Sequence, residues 1–176
     1  MMAVESFETM LTGGHPNSLG RTIEVVDTVL ANPARLIDLY NCYFSADEVV
    51  RLRTSNALKR ISKLHPAWLV PYIDRLLTEI SQIEQASTQW TLANLFSVLA
   101  KEMTPAQRQA ATAHMQHNLA THNDWIVLNN TMQTLADWSV NDPALVQWLI
   151  PHLERLSGDK RKSVAKRASK LLQKLA

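Results

Sequence analysis

At 176 residues, 46% of them hydrophobic and 19% charged, the chain has the composition of a folded globular protein and not of a disordered one. A chain this long can bury roughly 70% of its unfolded surface, so it needs no disulfide or structural metal, and a single cysteine excludes an internal disulfide. The net charge of +2 is unevenly held: residues 159–176 carry seven basic side chains against one acid, or +6, which leaves −4 for residues 1–158.

Leu and Ala are abundant, glycines number only four and β-branched runs are few, which favours helix over sheet. Residues 1–17 form a lead-in. Glu5 and Glu8 stand in its first eleven residues, where a secretory leader would carry basic residues ahead of an apolar run, so no leader is expected. The string from Gly13 to Gly20 lacks both the Gly-Lys-Ser/Thr ending of a phosphate loop and a preceding strand. Ser18 is expected to cap the first full helix, whose free N–H groups together with Arg21 could hold an anion; a flexible lead-in is the plainer account.

The first helix pair is placed at residues 18–45. It contains Cys42 among apolar neighbours and far in sequence from any basic or histidine partner, which reads as a buried, inert thiol in a reducing compartment. A second pair spans 47–83. At 100° per residue Val50, Thr54, Ala57, Leu58, Ile61 and Leu64 share one arc, while Arg51, Lys59 and Lys63 point away. Asp47 is its N-cap and His65-Pro66 its stop. The second helix of the pair, from Pro66 to about Ile83, holds Pro71, which kinks it unless the helix proper starts there.

The third pair, 85–122, opens its second helix with Thr104 as N-cap and Pro105 at the first helical position. The fourth, 124–157, matches the second pair. Asp124 falls on Asp47 at an offset of 77, and Leu149 to Leu156 falls on Leu69 to Leu76 at an offset of 80. A final helix at 159–175 sets Val164, Ala168, Leu171, Leu172 and Leu175 along one stripe and leaves its lysines and arginines outside, as a capping helix requires. A period near 40 residues with two helices per unit is the signature of a solenoid. The fold expected is therefore all-α, a right-handed α-α superhelix of about four helix pairs with a basic C-terminal capping helix, forming a single domain over 1–176. The most apolar uncharged stretch, 85–100, is too polar to span a bilayer, so no membrane partner and a cytoplasmic location are expected.

The run Asp47-x-Val-Val-Arg-x-Arg-x-x-x-Ala-Leu-x-x-Ile, followed by proline and a Leu-x-Pro-x-(Ile/Leu)-x-Arg-Leu helix, resembles the HEAT-repeat family over residues 18–176. The opening Gly13 to Arg21 is similar to that of small stand-alone bacterial HEAT-like proteins. The resemblance implies a protein- or peptide-binding scaffold whose concave face is lined by the second helix of each pair. Candidate contacts there are Tyr72, Arg75, Gln109, His114, His117, His152 and Arg155. A nucleic acid, held through the basic helix, is the alternative partner; Lys160, Arg161, Lys162, Lys166, Arg167 and Lys170 join Ser18 and Arg21 as anion-binding candidates. Helical-repeat DNA glycosylases offer the nearest enzymatic likeness, but the residue four beyond Trp90 is Asn94 where that chemistry wants an aspartate.

No nucleophile–base–acid set can be placed, so no catalytic residue and no cofactor are assigned. His114 and His117 lie i, i+3 on one helix with His122 beyond them. A metal would need further ligands and outer-sphere support, so an exposed polar face is the expected role and no metal is assigned. The five tryptophans, Trp68, Trp90, Trp125, Trp138 and Trp148, recur at helical spacing and are expected in core or inter-repeat packing; an exposed set for gripping a ligand is the other reading.

Overall fold

The structure, a computed structural model, describes residues 3–175; Met1 and Met2 of the expected lead-in and Ala176 of the expected terminal helix lie outside them. Helix-favouring composition is realised throughout: ten α-helices and no strand occur among the described residues. In packing, the chain resolves into two compact units, residues 1–91 and 92–176.

In the first unit a short helix α1 (Phe7–Leu11) precedes α2 (Thr22–Ala31), α3 (Leu36–Asn41), α4 (Glu48–Leu64) and α5 (Ile73–Thr78). Helix α4 is its centre and packs against α1, α2 and α3. The arc read from the sequence is buried at Val50, Thr54, Ala57, Leu58 and Ile61. Leu64, at the last turn, is instead 61% exposed, because the chain turns away at the His65 C-cap. Asp47 caps as expected, its carboxylate accepting the Val49 N–H at 2.8 Å. The segment after His65 departs from a plain helix. Residues Pro66–Tyr72 wind as a 3-10 helix with no side-chain cap, and α-helix begins only at Ile73. Pro71 lacks the N–H that would bond the Ala67 carbonyl and its ring crowds that carbonyl, so α-turns cannot propagate through it and α-helix starts beyond it.

Helix α6 (Ala86–Leu99) contains the division between the units. The second unit continues with α7 (Pro105–Thr121), α8 (Trp125–Trp138), α9 (Pro143–Ser157) and α10 (Lys162–Leu175). Here α8 packs on α7, α9 and α10, and α10 lies along α9. Thr104 forms a full capping box with Gln107. Asp124 repeats the Asp47 cap and accepts from both Ile126 and Val127. Pro151, the counterpart of Pro71, sits inside α9 without ending it. The difference lies upstream: Asp142 caps α9 by accepting the Leu145 N–H, so two turns are already wound before the proline is reached. Val164, Ala168 and Leu171 of the α10 stripe are buried, with Leu172 and Leu175 half-buried. No described helix is long and apolar enough to cross a membrane.

Candidate functional site

The residues singled out in the sequence fall into separate groups. In the first unit Tyr72 and Arg75 do meet, around a third residue that the sequence did not suggest. The Tyr40 ring lies 5.0 Å from that of Tyr72, and the Arg75 guanidinium sits over it at 4.4 Å. Glu79 closes the group, accepting from Arg75 Nε and, at 3.1 Å, from the Tyr40 hydroxyl. Burial, then the Glu79 carboxylate, push the Tyr40 phenol well above its usual range, so it is a neutral donor. The group is internally satisfied, with Phe44 exposed at its edge, 5.9 Å from Tyr40.

The expected anion site at the start of α2 is not built. Ser18 does not cap that helix: its hydroxyl accepts the Gly20 N–H, and Arg21 itself occupies the N-cap position. The Arg21 guanidinium is held by Glu5 at 2.7 Å and Glu24 at 2.9 Å, which depresses both carboxylates.

What organises the glycine string is Arg53. Only 2% exposed, it donates to the carbonyls of Leu11, Gly13, His15 and Ser18, so residues 11–18 wrap a buried cation. Gly20 (φ +52°) packs so tightly on it that a Cβ would come within 2.9 Å of Cζ. The signal was present in the sequence. At 100° per residue Arg53 lies only about 40° around the helix from Ala57, inside the apolar stripe, and a glycine-rich segment precedes it. Cys42 is buried as expected; burial, with Glu8 and Asp38 nearby, pushes its thiol up to about 11.

In the second unit His152 packs its ring on Trp148 at 4.1 Å, and Arg155 donates to the Leu119 carbonyl at 3.1 Å, tying α9 to the end of α7. Half-burial, and then the Arg155 charge, lower the affinity of His152 for a proton. Gln109 lines a cleft of about 640 Å³ beside Arg108, whose guanidinium covers the Trp138 ring at 4.2 Å. His114 is half-buried and His117 exposed. Burial, and then the neighbouring His117, push the His114 imidazole below its ordinary range. His122 serves the turn, its Nδ1 accepting the Asp124 N–H at 3.1 Å. Among the described residues no group of three or more His, Cys, Asp or Glu side chains is arranged to hold a metal ion.

Of the tryptophans only Trp138 is buried in the core, so core packing does not account for all five. Trp68, Trp90 and Trp148 are half-buried and Trp125 is 49% exposed. Two of the half-buried rings pack on histidines: Trp68 stacks flat on His65 at 4.0 Å, and Trp148 lies on His152 at 4.1 Å.

The C-terminal cations divide in two. Arg161 is structural: it pairs with Asp159 at 2.9 Å and donates to the Asn123 carbonyl, holding the Asp159 carboxyl down to about 2. Lys160 and Lys162 are exposed. Lys166, Arg167, Lys170 and Lys174 instead line one groove of about 380 Å³ with Gln133 of α8, Ser163 and Leu171. Arg167 donates to Gln133 Oε1 at 2.9 Å, and the Gln133 amide in turn donates to Asp137. No ion pair engages any of these four cations among the described residues. Compared with known protein families, with curated proteins and with solved structures, the chain matches none.

Proposed function

We propose that this protein is a non-enzymatic, polypeptide-binding module: a short right-handed superhelix of about four HEAT-like helix pairs that holds its partner along the second helices. The observation that carries this reading is the recurrence of one capped unit. The Asp47 and Asp124 caps open α4 and α8, and each is followed by a proline-containing segment that ends in the same Arg-Leu pair. A helix pair of this kind buries one face against its neighbours and leaves the other as extended surface, which is what such arrays use for recognition. The exposed side chains on the second helices, among them Gln109, His117 and Arg155, are polar and adaptable. The titratable groups described above are satisfied by structural partners or stand alone, and none forms a nucleophile–base pair.

Nucleic-acid binding of the helical-repeat type is the second reading, favoured by the excess of basic residues in 159–176. Panning a random peptide display library against the intact, nuclease-treated protein separates the two. The module reading expects an enriched consensus whose affinity drops about fivefold when Gln109 and His117 are both changed to alanine, an ordinary loss for contact residues outside a hot spot. No consensus, together with oligonucleotides that bind, would overturn it.

A further inference from the structure

The groove on α10 has a charge pattern that calls for a specific occupant. Lys166, Lys170 and Lys174 follow one another at i, i+4, i+8, so their Cα positions rise in steps of about 6 Å along one line, about 12 Å in all. Arg167 stands beside the line, steadied by its bond to Gln133. Like charges at i, i+4 repel and weaken an isolated helix, and among the described residues no carboxylate pairs with any of them to offset the repulsion. The floor is mild: Ser163, Gln133 and the buried Leu171.

We infer that this groove docks an acidic segment of a polypeptide partner, with carboxylates about 6–7 Å apart. That spacing is met by alternate residues of an extended chain, which rise about 6.6–6.8 Å, and by i, i+4 residues of a helix. The inference rests on the module reading above and adds to it a charged anchoring surface on the terminal helix. Two features set the groove against nucleic acid. It presents no aromatic ring on which a base could stack. Outside the four groove cations the unit carries six acids and six basic residues, so a long polyphosphate leaving the groove meets no net positive surface to follow. A short acidic peptide segment meets neither obstacle.

The test is fluorescence anisotropy on the intact protein with a labelled (Glu-Ser)6 peptide, against (Gln-Ser)6 and a dodecameric thymidine oligonucleotide. The acidic peptide is expected to bind and the neutral one not. Replacing Lys166, Lys170 and Lys174 with glutamine is expected to weaken binding about tenfold, the sum of three exposed charge contacts. Salt at about 300 mM should weaken it several-fold relative to about 50 mM. Ser163→Asp guards against trivial unfolding: a carboxylate in the first turn of α10 favours the helix yet repels an acidic ligand, so binding should fall while the thermal midpoint holds. Lys101→Gln, an exposed lysine off the groove, should change nothing. Acidic-peptide binding indifferent to both the triple variant and Ser163→Asp would overturn the inference while leaving a library-selected consensus, and so the module reading, intact. Tighter binding of the oligonucleotide, lost in the triple variant, would overturn both.

Discussion

Two sets of cations on long helices are treated in opposite ways. Arg53 of α4 is 2% exposed and spends its guanidinium on four backbone carbonyls of residues 11–18, with no carboxylate among them. Lys166, Arg167, Lys170 and Lys174 of α10 lie at the surface and have no charged partner among the described residues. The planar fork of arginine suits the first task, because its donors diverge in fixed directions that a loop can wrap, whereas a lysine ammonium keeps its hydration best in the open. Charge alone therefore separates nothing. A cation held by four backbone carbonyls orders a loop, whereas the α10 cations have no charged partner among the described residues and are the row proposed to meet one.

The largest effect expected from breaking this contrast is at Arg53. Arg53→Met should cost about 2–4 kcal/mol of stability in urea unfolding, since hydrogen bonds to a charged group are worth about 1.5–3 kcal/mol each and part of the loop can turn its carbonyls to water. A loss below about 0.5 kcal/mol, the range of an ordinary surface change, would place Arg53 with the α10 row. Gly20→Ala probes the same clamp from the loop side. Its Cβ would lie 2.9 Å from Arg53 Cζ, at a φ of +52°; a cost of about 1–3 kcal/mol is expected from the left-handed backbone and the contact together.

Arg161 supplies an intermediate case, a cation paired with a carboxylate. The Asp159 carboxyl titrates at about 2 in the folded chain, lowered first by the Arg161 side chain and then by its backbone N–H. Because the folded value lies below the ordinary 3.8, the pair stabilises above about pH 4 and its contribution is lost as pH falls toward 2. The pair is half-buried at the surface, so the loss is modest, up to about 1 kcal/mol. Asp159→Asn should show no such step when its stability is compared with wild type between pH 5 and pH 2. The smallest effect belongs to the α10 row: changing Lys166, Lys170 and Lys174 to glutamine should alter stability by no more than about 0.5 kcal/mol, with a gain if i, i+4 repulsion dominates.

Much of the architecture was legible from period and punctuation. Asp47, Thr104 and Asp124 cap where their side chains and the apolar periodicity placed them, and the α10 stripe is buried at Val164, Ala168 and Leu171. These features are local, decided within a turn or two of the residue concerned. What failed to show was non-local. Gly13 to Gly20 read as a flexible lead-in because the partner that orders it, Arg53, lies more than thirty residues away. Ser18 and Arg21 looked like an anion site because Glu5, which occupies Arg21, is sixteen residues upstream. The tryptophans share helical spacing with the core, but their amphipathic rings are stable half-buried, and spacing cannot distinguish the two. Of the α10 groove, the lysines and arginine were legible as a basic face; Gln133, which lines it from α8, was not, since only packing brings it there.

The most direct test of the central claim, that the α10 row is left open for a polypeptide while other cations serve the fold, is lysine footprinting by reductive methylation with and without the acidic (Glu-Ser)6 peptide. The account predicts that saturating peptide slows methylation of Lys166, Lys170 and Lys174 and leaves Lys59, Lys63 and Lys101 unchanged. Equal protection at all of these lysines, or protection confined to those outside α10, would contradict it.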